Sequence, residues 1–182
     1  MNGEKSGKCF EYDNNGKLKF DGEYLYNYKI RGKEFIGGIL EYEGEYLLGK
    51  KWNGRGYDEN GDIIYELKYG NGKIKEYNNE NDNLIFEGEY LNGKRNGNGK
   101  EYKYGILEYE GEYFKGKRNG KGREYYYDGV TKFDGEFLGG IRNGKGKEYN
   151  KEGNIIYEGE YLNNKRHGKG KEYVDYNGKV LY

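Results

Sequence analysis

A short block of sequence recurs along this chain at nearly constant spacing, and this periodicity constrains the fold more than any single residue does. Each block opens with a five-residue head of the form aromatic–acid–Gly–Glu–aromatic. Six copies of the head begin at Phe20, Tyr42, Phe86, Tyr109, Phe133 and Tyr157. A degenerate copy, Tyr-Glu-Leu-Lys-Tyr, begins at Tyr65, so successive heads lie 21 to 24 residues apart. A fixed period of this length is typical of arrays in which each unit packs only on its neighbours.

Each regular head is followed by a glycine-rich tail, and head and tail together predict a β-hairpin. The tail reads Gly-Lys-Gly-Lys/Arg-Glu-Tyr where it starts at Gly120, Gly144 and Gly168. The residues between head and tail favour a turn, with Gly116 where positive φ is needed. A second set of turns joins each tail to the next head, and several contain Asn-Gly or Asp-Gly, a strong hairpin signal. These turns end at Gly16, Gly61, Gly129, Gly153 and Gly178. The predicted topology is a plain meander.

The pattern Tyr-x-Gly-x-aromatic followed by Asn-Gly-x-x-x-Gly-x-Gly resembles the MORN repeat (membrane occupation and recognition nexus). The resemblance covers nearly the whole chain, although Tyr or Phe stands at the fifth position, where the repeat usually has Trp. It implies an all-β fold, an elongated single-layer antiparallel β-meander of about seven hairpin repeats with a shallow groove. It also implies a binding or scaffolding role, often beside a domain with its own activity.

The predicted domain organisation is a single array over residues 1–182. It consists of a half repeat at 1–19 and repeats that start near residues 20, 42, 65, 86, 109, 133 and 157. The composition agrees with an array, because a mean hydropathy of −1.28 is too polar for a compact globule with a large apolar core. Disorder is also disfavoured, since 18% of the residues are aromatic. Ala and Gln are absent, and the many Tyr and Phe residues favour strands.

The charges balance, with 32 basic and 32 acidic residues. This argues against nucleic acid as a partner and leaves at most weak binding to anionic lipid. No run approaches the ~18 apolar residues that span a bilayer, and no apolar segment of a signal peptide follows Met1. The single Cys9 cannot form an internal disulfide. We therefore expect a cytoplasmic protein, with association to the cytoskeleton or to a membrane left open.

The copy at 109–125 can be paired in one self-consistent register. The predicted pairs on one face are Tyr109–Glu124, Gly111–Gly122 and Tyr113–Gly120. Those on the other face are Glu110–Arg123 and Glu112–Lys121, and the copy at 157–172 similarly pairs Glu160 with Lys169 and Tyr161 with Gly168. One face is then aromatic and glycine, and the other is a ladder of opposite charges that contribute roughly 0.2–1 kcal/mol per pair.

The aromatic residues of the heads, together with Trp52, are the candidate partner-binding residues. They are Tyr42, Tyr46, Trp52, Phe86, Tyr90, Tyr109, Tyr113, Phe133, Phe137, Tyr157 and Tyr161. A continuous aromatic trough over the glycines would accept a protein segment as a whole. The open alternative is that each ring only stabilises the sheet.

The stretch 49–77 departs from the repeat. Trp52 is inserted in the turn at 49–54, and the degenerate head at Tyr65 lacks four turn residues. A two-residue turn at Gly70-Asn71 would place Leu67 opposite Ile74, where regular copies have facing glycines, and Lys68 opposite Lys73. This stretch is either a bend in a tolerant array or a specialised contact site around Trp52.

The sequence holds no candidate catalytic, metal-binding or cofactor-binding residues. One His, one Cys, one Ser and one Thr are too few for a catalytic triad or a zinc site. The Gly-x-Gly pairs lack the following helix of a phosphate-binding loop. The paired glutamates lie opposite cations in the predicted register, which favours a solvated charge ladder over glycosidase carboxylates.

These observations predict a non-catalytic scaffold that binds a partner protein, as a helix or an extended peptide, along the aromatic and glycine groove. Two alternatives stay open: an adaptor for membranes or phosphoinositides, which the family name implies, and a regulatory segment of a larger enzyme. The predicted first strand near 8–12 and last strands near 171–174 and 179–182 also leave open edges, so a homodimer through the sheet ends is a further expectation.

Overall fold

The computed structural model describes residues 3–78, 80–174 and 179–181, which form sixteen β-strands and no helix. The strands are β1 (Gly7–Tyr12), β2 (Leu18–Leu25), β3 (Tyr28–Ile36), β4 (Ile39–Leu47), β5 (Lys50–Tyr57), β6 (Ile63–Lys68), β7 (Asn71–Tyr77), β8 (Leu84–Leu91), β9 (Lys94–Lys103), β10 (Ile106–Phe114), β11 (Lys117–Tyr125), β12 (Thr131–Leu138), β13 (Ile141–Tyr149), β14 (Ile155–Leu162), β15 (Lys165–Val174) and β16 (Lys179–Leu181). Met1, the predicted turn that ends at Gly178, and Tyr182 lie outside the described residues.

The chain divides into two compact units: unit 1 comprises residues 1–83 and 89–94, and unit 2 comprises residues 84–88 and 95–182. Within unit 1, each strand from β1 to β7 pairs antiparallel with the next. Within unit 2, each strand from β9 to β16 does the same. The predicted all-β antiparallel meander of hairpin repeats is therefore confirmed.

A column of glycines crosses the strands of unit 2. Each glycine of the column pairs with the glycine at the same level of the next strand. Their order across the strands is Gly99, Gly111, Gly122, Gly135, Gly146, Gly159 and Gly170. The ring of Phe133 lies over this column, because a Cβ added to Gly146 would be 2.5 Å from Phe133 Cε2. Only glycine leaves room for the ring here. In unit 1, Cys9 occupies a position of the corresponding column and pairs with Gly22.

The rings of the heads form the core. Within a head, the first ring meets the fifth edge-on, as between Tyr109 and Tyr113, whose centroids are 5.6 Å apart. In unit 2 the first ring also meets the fifth ring of the next head, since Tyr109 lies 5.1 Å from Phe137 and Phe133 lies 5.0 Å from Tyr161. Edge-to-face pairs at these distances contribute about 0.5–1.5 kcal/mol beyond the area that they bury. Within unit 2 the zigzag of rings therefore joins adjacent hairpins.

The predicted register of the regular hairpin is correct in the strand residues far from the turn. It is wrong in the residues next to the turn. The pairs Tyr109–Glu124, Glu110–Arg123 and Gly111–Gly122 occur as predicted. Tyr113 instead faces Arg118 and Phe114 faces Lys117, so the predicted pairs Tyr113–Gly120 and Glu112–Lys121 do not form. In the copy at 157–172, Glu160 faces His167 rather than Lys169, and Tyr161 faces Arg166 rather than Gly168.

The turn is the reason for this shift. Lys115 and Gly116 both have positive φ, at 50° and 89°. Two such residues form the tight turn whose twist matches that of a hairpin. Since the chain closes in two residues, the remaining tail residues are taken up by a bulge between Gly111 and Tyr113.

In three hairpins of unit 2, the glutamate of the bulge binds the backbone rather than a lysine side chain. The N–H of Lys121 donates to Glu112 Oε1 at 3.2 Å, and the N–H of Lys145 donates to Glu136 Oε2 at 2.7 Å. The carboxylate thus satisfies a backbone donor that the bulge removes from the ladder.

The degenerate hairpin also has a different turn from the predicted one. Tyr69 and Gly70, with φ of 53° and 68°, close it instead of Gly70 and Asn71. The observed pairs are Lys68–Asn71 and Leu67–Gly72, so the predicted pairs Leu67–Ile74 and Lys68–Lys73 are wrong. The side chains of Leu67 and Ile74 are nevertheless both buried, at 2% and 4% exposure.

Backbone hydrogen bonds join successive hairpin turns in unit 2. The N–H of Gly116 donates to the carbonyl of Arg95 at 2.8 Å, and the N–H of Gly140 donates to that of Arg118 at 2.9 Å. In the same way, the N–H of Asn164 donates to the carbonyl of Arg142 at 3.0 Å. The turns are thereby held in a row in addition to the strand ladder.

We predict that Gly146→Ala lowers the free energy of unfolding by about 1–3 kcal/mol, the usual cost of overpacking. The new methyl group would collide with the Phe133 ring, which is fully buried and cannot move aside. The matched control is Lys145→Ala on the adjacent exposed residue, which should change stability by less than about 0.5 kcal/mol. Urea denaturation measures both, and equal midpoints would contradict the packing of the ring on the glycine column.

Candidate interaction surfaces

On the face of the sheet that carries the rings, a cation from the following strand covers the first ring of each regular head. In unit 2 these cations are arginines: the Arg142 guanidinium carbon lies 4.2 Å from the Phe133 centroid, and that of Arg118 lies 4.3 Å from the Tyr109 centroid. Such contacts contribute about 0.5–2 kcal/mol, more where water is excluded. The ring face of unit 2 therefore presents guanidinium groups above its rings.

These arginines alternate with glutamates in a continuous ladder over the rings of unit 2. Arg118 bridges Glu101 and Glu124, the second at 3.1 Å. Arg142 binds Glu124 at 2.5 Å and reaches Glu148 at 4.0 Å. The ladder continues through Arg166, which binds Glu148 at 2.7 Å and Glu172 at 2.6 Å. Each carboxylate between two arginines is shared by two hairpins.

Unit 1 has lysines in place of these arginines. Lys29 lies 4.2 Å from the Phe20 centroid and Lys51 lies 4.8 Å from that of Tyr42. Lys51 binds Glu34 at 3.2 Å and also binds Glu41. Glu41 is buried, with only 4% of its surface exposed. The Tyr65 hydroxyl donates to Glu41 Oε1 at 2.6 Å. Burial raises the pKa of Glu41 even though Lys51 and Tyr65 act to lower it.

Nine of the eleven candidate partner-binding residues are buried in the ring row. They are Tyr42, Tyr46, Phe86, Tyr109, Tyr113, Phe133, Phe137, Tyr157 and Tyr161, all at or below 8% exposure. Trp52 and Tyr90 are half-buried. The Tyr90 hydroxyl donates to Glu76 Oε1 at 2.5 Å. The structure thus gives these rings a packing role, and their contact with a partner stays a prediction.

Trp52 packs against the tips of two later hairpins of unit 1. A Cβ added to Gly70 would lie 2.5 Å from Trp52 Cζ3, and one added to Gly93 would lie 3.3 Å from the same atom. The N–H of Gly70 donates to the Trp52 carbonyl at 2.8 Å, and the N–H of Gly93 donates to the Gly70 carbonyl at 2.9 Å. Trp52 therefore fixes the relative positions of three hairpin tips.

The opposite face of unit 2 carries an exposed charge ladder. Lys147 binds Glu158 at 3.3 Å and Arg123 binds Asp134 at 2.7 Å. Tyrosine hydroxyls brace this ladder, as where Tyr125 donates to Glu110 Oε1 at 2.5 Å. Exposed ion pairs contribute little to stability, about 0–1 kcal/mol each. Loss of a single ion pair on this face therefore costs the fold little stability.

A row of apolar side chains runs along the turn end of each unit. It consists of the residue that follows each regular head: Leu25, Leu47 and Leu91 in unit 1, and Phe114, Leu138 and Leu162 in unit 2. These side chains are 43% to 58% exposed. The sequence carries the signal, since an apolar residue follows all six regular heads, but the sequence prediction concentrated on the rings and missed it.

A shallow depression of about 470 Å³ adjoins this row in unit 2. Leu138 forms part of its wall, and Glu112, Glu136 and Lys121 line it beside Asn143. An apolar side chain with polar groups around it is the usual composition of a protein contact site.

The described residues contain no group of three or more His, Cys, Asp or Glu that could hold a metal ion. Among the same residues, no helix is long and apolar enough to cross a membrane.

Part of the chain matches the model of a known repeat family. The MORN repeat model matches residues 86–104, 109–131, 133–155 and 157–178. No curated protein matches the chain. The matched segments begin at four of the heads defined above.

We predict that Tyr113→Phe is neutral or stabilises the protein by about 1 kcal/mol. Burial raises the pKa of Tyr113, and its hydroxyl has no hydrogen-bond partner among the described residues. An unsatisfied buried hydroxyl costs about 1–3 kcal/mol, and Phe137 fills the equivalent place in the next repeat. The control is Tyr125→Phe, which removes a hydroxyl bonded to Glu110. A large loss of stability in Tyr113→Phe alone, measured by urea denaturation, would contradict the prediction.

Proposed function

Because this chain is a MORN repeat protein, and such repeats are generally protein- or membrane-binding motifs, we propose that it is a non-catalytic scaffold that binds a segment of a partner protein. The family is typically non-enzymatic. The partner chemistry that fits best is a helix or an extended peptide with apolar side chains at regular intervals.

The observation that carries this proposal is the exposed row in unit 2 formed by Phe114, Leu138 and Leu162. These side chains are 53%, 58% and 43% exposed, so about half of each is open to a partner. Covering the exposed half of such a side chain contributes about 1 kcal/mol to binding. A row of three can therefore anchor a segment, with Glu136 and Lys121 as its polar rim.

The spacing of the row suits a regular partner segment. Neighbouring row residues lie two strands apart, which is about 10 Å. Residues seven apart on one face of an α-helix are also about 10 Å apart. A helix laid across the strands can thus offer one apolar side chain to each hairpin.

The ring face is the second surface on which a partner could lie, as the sequence prediction has it. A segment there would meet the Arg–Glu ladder before the rings, because the rings are buried beneath it. It would have to displace or bridge existing ion pairs such as Arg142–Glu124. Desolvating such pairs is costly, so we place the main contact on the apolar row.

Capture of partners by the immobilised full chain tests this proposal. The test variant combines Phe114→Ser, Leu138→Ser and Leu162→Ser, and the control is Tyr127→Ser, which alters a 76%-exposed residue of unit 2 outside the row. We expect the wild-type chain and the control to retain the same protein from the source cell and the triple variant to lose it. A partner that the triple variant keeps but an Arg118→Gln/Arg142→Gln variant loses would move the contact to the ring face.

Flotation with vesicles tests the membrane alternative. We expect weak and salt-sensitive retention on vesicles that contain phosphoinositide, because the net charge is zero and polybasic attraction needs several adjacent cations. Strong retention at physiological salt would replace the protein scaffold with a membrane adaptor.

Self-association through the ends of the sheet stays a separate prediction. In the described residues β1 pairs on one side only, with β2, and an unpaired strand edge can bind another copy. Light scattering over a range of concentrations should then show a mass that rises toward a dimer. A constant monomeric mass would exclude edge pairing.

A further inference from the structure

Three consecutive hairpin tips of unit 1 expose an apolar side chain at the first turn position. These residues are Tyr26, Leu48 and Tyr69, and they are 65%, 74% and 65% exposed. The equivalent residues of unit 2 are Lys115, Gly139 and Asn163. The two units thus share one fold but differ in the chemistry of this edge.

The apolar residues occupy these tips against their conformational preference. Tyr26, Leu48 and Tyr69 have φ of 48°, 51° and 53°, in the left-handed region that Gly and Asn adopt most readily. Their exposure provides no compensating burial. A strained and exposed apolar residue lowers the stability of the fold, and its repetition at three successive tips points to a role outside the fold.

The apolar surface extends beyond the three turn residues. Tyr28, Leu25 and Leu47 lie beside the tips and are 52%, 48% and 47% exposed. Tyr28 contacts the next tip, since a Cβ added to Gly49 would lie 3.6 Å from Tyr28 Cδ1. The tips therefore form a contiguous patch, which in a soluble chain marks an interaction site.

The tips are also held in place before any partner binds. Tyr69 N–H donates to Asn53 Oδ1 at 2.7 Å, and Trp52 packs on Gly70. A preorganised surface loses little conformational freedom on binding. This arrangement gives Trp52 a positioning role beneath the patch.

The charged side chains within the tips themselves are all basic. The four tips at 24–29, 46–51, 67–72 and 90–94 contain five lysines and no acidic residue. Lys29 and Lys51 turn to the ring face and bind glutamates there. Lys50, Lys68 and Lys94 are exposed beside the apolar residues.

We propose that this edge of unit 1 binds an acidic amphipathic helix of a partner protein. Its apolar side chains would contact Tyr26, Leu48 and Tyr69, and its carboxylates would pair with the exposed lysines. A helix fits better than an added strand, because tip donors such as the N–H groups of Gly70 and Gly93 already bind carbonyls of neighbouring tips. A partner must therefore satisfy its own backbone.

This inference rests on the proposed function, since it assumes a protein partner, but it concerns a different unit and a different set of residues. The triple serine variant of unit 2 should leave this edge intact. The two proposals can thus fail independently.

The test uses a labelled 18-residue helical peptide with Leu at three positions seven residues apart and Glu beside each of them. A peptide with Lys in place of Glu is the charge control. The test variant of the full chain combines Tyr26→Asn, Leu48→Asn and Tyr69→Asn, because Asn92 and Asn163 occupy the same turn position without loss of the fold. The matched control is Tyr104→Asn, a turn residue of unit 2 with φ 53° and 74% exposure.

Fluorescence anisotropy should show that the acidic peptide binds wild-type chain and Tyr104→Asn equally and binds the triple variant at least tenfold more weakly. The Lys peptide should not bind, and Lys50→Glu with Lys68→Glu should reverse this preference. The urea midpoint of the triple variant should equal or exceed that of the wild type, which shows that the fold is retained.

Failure of the wild type to bind the acidic peptide, or equal binding by the triple variant, would overturn the proposal. A membrane contact would also overturn the proposal. In that case the wild type would bind vesicles of anionic lipid but not the acidic peptide, and the triple variant would not bind the vesicles.

Discussion

The packing of an aromatic ring across two facing glycines is the interaction on which the rest of this structure depends. Phe133 lies over Gly135 and Gly146, and no side chain larger than hydrogen fits beneath it. Because the ring spans two strands and then meets a ring of the next hairpin, the same contact builds the hairpin and joins it to its neighbour. A polar chain with few aliphatic residues can thus form a stable sheet, since large rings bury much area per residue.

The buried rings stabilise the fold, and the surfaces proposed for partner binding lie elsewhere on the molecule. The Arg–Glu ladder covers the rings of unit 2 and links adjacent hairpins. The polar groups of this face are therefore largely paired with one another. The apolar row and the hairpin tips contribute much less to the fold because about half or more of each side chain is exposed. The tips of units 1 and 2 differ accordingly, whereas every regular repeat has an apolar residue at the row position.

For a protein of MORN repeats, this division is consistent with the two contact modes that we propose. The row of Phe114, Leu138 and Leu162 offers the same chemistry at each hairpin, which suits a long and regular partner. The tips of unit 1 combine Tyr26, Leu48 and Tyr69 with exposed lysines, which suits one kind of helix. In this proposal the periodic row would extend the contact area, whereas the patch would select partners by charge.

The sequence by itself determined the period, the all-β meander and the register away from the turns, because facing glycines such as Gly111 and Gly122 allow only one alignment under a ring. The register beside the turns depended on backbone geometry: Lys115-Gly116 and Tyr69-Gly70 close tight turns, and the surplus residues form bulges that alternation of side chains cannot reveal. Only the tertiary structure decided which side chains are buried and which remain exposed for a partner. Tyr109 and Tyr113 are buried because rings of the adjacent hairpins pack on them and Arg118 covers Tyr109. Leu138 stays exposed because it lies on the other face.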